Sequence, residues 1–178
     1  MKAIPLFSLE LRRLLLSRLT WLIALLTLLS PLAGLTLYKP ASAGTMLSMY
    51  LANPALAGGA AGGVLFGLLA VFELDRANRC RVDVLVDAAV SPLRMALVRL
   101  LALMSGAALT LCLAMLVWLP VSRGLIGAVF DGAEYLLAYA LFMGLALPLG
   151  ILAASSAYQF ARRADLSLVA LAVFAGLS

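Results

Sequence analysis

Four long apolar runs, separated by short polar stretches, set the pattern of this chain. They cover residues 19–38, 55–72, 95–119 and 135–158. Each has close to the roughly 20 residues that a helix needs to cross a bilayer. A last apolar stretch, Leu166 to Leu177, is shorter. Residues 166–178 are therefore read as part of a fifth span, and the sequence is expected to be a piece of a longer chain. The predicted fold is an all-α polytopic membrane protein, with residues 1–178 forming a single transmembrane domain.

Residues 4–18 precede the first run and have helical spacing of their own. Ile4, Phe7, Leu11, Leu14 and Leu15 fall on one face, and Glu10, Arg12, Arg13 and Ser17 on others. That pattern predicts an interfacial helix lying on the membrane surface; the simpler alternative is an extension of the first span. Ala41-Ser42-Ala43 resembles a signal-peptidase site. The run before it exceeds the 7–15 apolar residues of a signal peptide, so the N-terminus is expected to be retained. Residues 39–54 and 120–134 are expected to be loops on the far side. Gly144, Pro148 and Gly150 predict a kink in the fourth span.

The second run sorts its residues by size. Gly59, Gly63, Gly67 and Ala70 share a helical face, with Gly62 at its edge, and Val64, Leu65, Leu68, Leu69, Val71 and Phe72 lie opposite. In lipid, small residues let helix backbones approach closely. Gly59, Gly62, Gly63 and Gly67 are thus expected to pack on another helix.

Between the second and third runs the chain turns polar. Val82, Val84 and Val86 alternate like a strand, but an isolated strand beside a membrane would leave its edges unpaired. Arg76, Arg79, Asp83 and Asp87 line one helical stripe, in which Arg79 and Asp83 form an i,i+4 pair. An amphipathic helix over 73–91 is predicted, ending where Pro92 disfavours helix at Ser91. Glu73 and Asp75 root it at the membrane.

Composition agrees with this pattern. The chain is 65% hydrophobic and 12% charged, with mean hydropathy +1.13; soluble domains have about 45–50% apolar and about 25% charged residues. A net charge of +5 could suit nucleic acid. Here, however, the arginines sit at the ends of apolar runs, where positive charge sets topology. Of the 13 Lys and Arg, all but Lys39 and Arg123 fall on one side of the predicted topology. The chain is expected in the cell inner membrane with its N-terminus cytoplasmic, surrounded by lipid and binding no nucleic acid. Arg94 and Arg99 read as topology signals, and Trp21 and Trp118 as anchors at the membrane interface.

Candidate chemistry is sparse. There is no histidine, and Cys80 and Cys112 lie at different expected depths, so neither a metal site nor a disulfide is predicted. The cores of the predicted spans hold no ionisable residue of the kind that ion-coupled carriers use. Hydroxyls at depth, such as Ser105, Thr110, Ser155 and Ser156, more often bond to their own backbone than act as nucleophiles. The sequence has no GxxxxGK[ST]. No catalytic residue and no cofactor are expected, and energy for any uphill movement would come from a partner.

The order of features resembles the N-terminal portion of an ABC-2 type ATP-binding-cassette transporter permease. The resemblance rests on Glu73, Asp75, Arg76 and Arg79 leaving the second span, Leu85, and then Ser91-Pro92 and Arg99 opening the third. It covers most of the chain in architecture and about 30 residues in motif. The Gly-Thr often found ahead of the Leu is absent, Arg99 stands where Lys is common, and the family usually has six spans. The resemblance implies that residues 73–91 are a coupling helix docking on a separate cytosolic ATPase subunit. It also implies a second permease half as partner and export as the function. The alternative is a non-transporting membrane scaffold that recruits a cytosolic protein through the same residues.

Overall fold

The computed structural model describes residues 3–37, 47–79 and 91–161, with single positions at 167, 169 and 172. Among the described residues every regular element is helical. Four stretches are long and apolar enough to cross a membrane: Arg18–Thr36, Tyr50–Arg76, Leu93–Ile126 and Gly132–Phe160. They coincide with the four apolar runs and extend beyond most of their ends.

Helix α1 (Ala3–Leu16) is separated from α2 (Arg18–Leu29) by Ser17, whose backbone is extended at φ −73°, ψ 126°. It is therefore a distinct helix and does not extend the first span. Helix α3 (Pro31–Leu37) follows α2 after Ser30. Pro31 has no N–H for the Thr27 carbonyl four residues back, and the Ser30 hydroxyl donates to that carbonyl instead, at 2.7 Å.

Two prolines that the sequence reading placed in loops lie inside helices. Helix α4 (Leu47–Arg79) contains Pro54, and α5 (Pro92–Ile126) contains Pro120. The predicted far-side loops 39–54 and 120–134 are thus partly helical. A proline costs a helix one hydrogen bond, and in spanning helices neighbours and local adjustment compensate the freed carbonyl. Pro92 sits at the start of α5, where a missing N–H costs nothing. The helix stops at Gly127, whose φ of 70° favours glycine.

A short 3₁₀ turn, Gly127–Val129, leads to α6 (Gly132–Ala138). Asp131 caps α6 by accepting from the Ala133 N–H at 2.8 Å. A π-helical turn, Tyr139–Met143, joins α6 to α7 (Gly144–Ala161). The irregularity of the fourth span therefore lies a turn ahead of Pro148. The π turn ends at Gly144, the residue whose carbonyl the Pro148 ring would crowd.

Helix α4 is the centre of the bundle. In its most apolar stretch 56% of the residues are buried, against 28%, 33% and 28% in the other three spans. The glycine face meets two neighbours. Gly58 lies beside Pro31 and Met143, and Gly62 beside Thr27 and Leu147. Gly59 and Gly63 face the carbonyls of Phe142 and Ala146, and Gly150 of α7 faces the Gly63 carbonyl. Here α4 and α7 run parallel with their backbones in contact, which the absence of side chains permits. On the larger side Leu69 and Val71 are also fully buried, while Val64 and Phe72 remain exposed.

The two tryptophans differ. Trp21 is exposed and donates Nε1–H to the Leu15 carbonyl at 2.7 Å. Trp118 is 5% exposed and donates to the Leu28 carbonyl at 2.8 Å, which ties α5 to α2. Trp118 is a bundle residue and not an exposed interface anchor.

Candidate functional site

Charged side chains from three helices converge at one end of the bundle. Helix α1 contributes Glu10 and Arg13, one turn apart. The last turns of α4 contribute Glu73 and Arg76, and the beginning of α5 contributes Arg99. The two carboxylates are buried, Glu10 at 8% and Glu73 at 7% exposure.

Arg13 stands between them. Its Nη2 lies 2.6 Å from Glu73 Oε2 and 3.1 Å from Glu10 Oε2. The first is a charge-assisted hydrogen bond, of the kind roughly twice as strong as a neutral one. Arg76 Nη1 is 3.7 Å from Glu73 Oε1, and Arg99 Nε is 3.8 Å from Glu10 Oε1. Two carboxylates thus meet three guanidiniums. A buried carboxylate without such company would cost several kcal/mol, roughly the effective burial penalty of one ion. The burial of Glu10 against α5, with Leu14 one turn further, therefore depends on the arginines around it.

The remaining gap between these side chains is about 10 Å³. That is the lower limit for one water molecule, so the cluster is closed to a larger ligand. Each carboxylate is engaged by guanidiniums, an arrangement that fastens helices together. At the same end the Tyr158 hydroxyl of α7 donates to Asp75 Oδ1 at 3.3 Å. Helices α1, α4, α5 and α7 are all joined there.

The structure places the residues expected from sequence in two separate groups. Glu73, Asp75 and Arg76 lie at this charged end. They are not the start of a separate element: α4 continues unbroken from the second span to Arg79. Asp83, Asp87 and the side chain of Arg79 lie outside the described residues, so of the expected stripe only Arg76 has a described side chain. Gly59, Gly62, Gly63 and Gly67 are buried further along α4, away from the charges.

Sequence reasoning missed Glu10, Arg13 and Arg99 as parts of the cluster. It assigned the first two to the polar faces of a surface helix and the third to topology. A signal was present, because Glu10 is the only acidic residue before Glu73 in an otherwise basic N-terminal region. On α1 the buried pair is Glu10 and Leu14, whereas Phe7, Leu11 and Leu15 of the apolar stripe are only half-buried. Compared with known proteins, the chain matches no family model, no curated protein and no solved structure.

Proposed function

We propose that this chain is a permease subunit of an ATP-driven exporter of the ABC-2 type. In this reading it lies in the cell inner membrane with its N-terminus cytoplasmic and α1 along the membrane surface. It pairs with a second permease half to form the translocation pathway. Residues 73–91 receive the motion of a separate cytosolic ATPase subunit.

One observation supports the reading above the others: the turns of α4 from which that segment departs are fastened by buried charges to α1 and α5. A segment rooted on an isolated helix would move that helix alone. Displacement at Glu73 instead reaches Arg13 and Glu10 on α1, and through Glu10 reaches Arg99 on α5. Asp75 extends the linkage to Tyr158 on α7. An element that must convert a push from outside the membrane into rearrangement of several spans needs such a root.

The test is whether a cytosolic P-loop ATPase is recovered with the tagged chain, read by mass spectrometry of the copurifying proteins. Reversing Arg79 and Asp83 together would preserve an opposite-charge i,i+4 spacing, worth only about 0.2–0.5 kcal/mol on a helix. It changes the charge pattern offered to a partner, where like-charge juxtaposition costs several kcal/mol. The double reversal is expected to spare insertion and to lower both complex recovery and stimulated ATPase activity. Absence of any ATPase in the wild-type complex would remove the exporter reading and leave the scaffold.

A further inference from the structure

The arginines of α1 are divided between its two sides. Glu10 and Leu14 are buried toward α5, and Arg13 turns to the buried glutamates. On a helix of about 3.6 residues per turn, Leu9, Arg12 and Leu16 fall nearly opposite Glu10 and Leu14. Leu9 is 62% exposed and Leu16 73%, with Arg12 exposed between them. Past the Ser17 corner, Arg18 and Trp21 are exposed one turn apart on α2. The Trp21 indole reaches back to the Leu15 carbonyl, so its ring is held across the corner against the end of α1. Unlike Arg13, Arg12 and Arg18 form no ion pair with any described residue.

Leucines this exposed beside cations and a tryptophan mark a surface made to be covered. The place of the corner says by what. Arg18 is the first residue of the first spanning stretch, so the corner lies where that span meets the headgroup layer. At that level acyl chains can cover leucine, phosphates can meet arginine, and an indole sits with its polar edge toward the headgroups. We propose that the outer side of the α1–α2 corner is a docking surface for anionic phospholipid. Leu9 and Leu16 enter the acyl boundary, and Arg12 and Arg18 draw the headgroups. Two cations engaged with nothing else select an anionic lipid over a zwitterionic one.

The lipid-facing stripe is thus not the one that apolar periodicity selects, since Phe7, Leu11 and Leu15 are half-buried in the bundle. The same helix is fastened on its inner side to Glu73 through Arg13. A headgroup that holds the outer side of α1 therefore also bears on the last turns of α4. The inference rests on the reading of α1 as a helix along the membrane surface and not on the ATPase. Lipid preference and ATPase recovery are separate measurements, and either can fail alone.

The test places the full chain in nanodiscs, which are open to water on both faces. They contain phosphatidylcholine and phosphatidylglycerol, with one or the other brominated. Bromine quenches tryptophan on contact, so Trp21 reports the lipid beside the corner, while the buried Trp118 adds a constant background. Phosphatidylglycerol is expected to be preferred about fivefold for each arginine, or about 25-fold for the pair. Arg12→Gln and Arg18→Gln should each lower that preference about fivefold, and neither side chain fastens the bundle. A second readout follows the leucines. With Cys80 and Cys112 replaced by Ser, Leu16→Cys should resist a membrane-impermeant maleimide in the nanodisc and react fully after denaturation. Equal quenching by the two lipids would overturn the proposal, as would a preference that survives both glutamine changes together. Rapid labelling at residue 16 would also overturn it, by showing that the stripe faces water or awaits a protein partner instead of lipid.

Discussion

Arg13 and Glu73 are 60 residues apart in sequence and are joined by a hydrogen bond of 2.6 Å. The bond carries α1 onto the end of the central helix. Glu73 is almost wholly buried, whereas the Arg13 side chain is 35% exposed. The glutamate therefore depends on the arginine more than the reverse.

A double-mutant cycle measures that dependence. Arg13→Ala and Glu73→Ala should each destabilise the protein, and their combination should cost less than the sum. The expected coupling is about 1.5–3 kcal/mol, the upper part of the range for residues sharing a charged network. Reversible unfolding in detergent reads it, and additivity within about 0.5 kcal/mol would show that the contact contributes nothing specific.

The contact between α4 and α7 predicts a sharp contrast among glycines. A side chain at Gly63 meets the Ala146 carbonyl, whereas one at Gly124 meets nothing within 4 Å. Gly63→Leu should separate the two helices and destabilise the bundle by at least the roughly 1–3 kcal/mol of overpacking. Gly124→Ala lies in a helix and should be neutral or stabilising by up to about 1 kcal/mol. Monodisperse yield and melting temperature in detergent distinguish them; equal tolerance would show that the helices do not approach at Gly63.

Trp118 and Trp21 should report different surroundings. In a Trp21→Phe background, Trp118 is expected to resist quenching by brominated lipids. In a Trp118→Phe background, the exposed Trp21 is expected to be quenched strongly. Trp118→Phe also removes the hydrogen bond to Leu28 and should cost about 1 kcal/mol. Equal quenching would contradict the burial of Trp118.

Cys112 is on the exposed surface of α5, well inside the third span. At that depth in an apolar span a bilayer would shield it from water. With Cys80 replaced by Ser, a membrane-impermeant maleimide should leave Cys112 unlabelled in intact vesicles and label it after denaturation. Rapid labelling in intact vesicles would mean that this part of α5 faces water.

Much of the architecture was legible before the fold. The length of an apolar run and the size of its side chains are local properties. They suffice for four helices of spanning length and for a small-residue face on the second. The same local reading erred at Pro54 and Pro120. A proline reads as a helix end, but whether the helix passes through it depends on how its surroundings compensate one lost hydrogen bond.

What only the tertiary structure decided was which charges meet. Glu73, Asp75 and Arg76 stood out because they interrupt an apolar sequence. Glu10 and Arg13 looked like the polar side of a surface helix, and Arg99 like a topology signal. Their common site exists because α1 folds back along α5, and no periodicity in α1 encodes a partner 60 residues away. Trp118 turned inward for the same kind of reason, since its acceptor, the Leu28 carbonyl, lies 90 residues earlier. Hydrophobic length decides that a helix spans; the partner of a buried polar group is decided by which helices pack together.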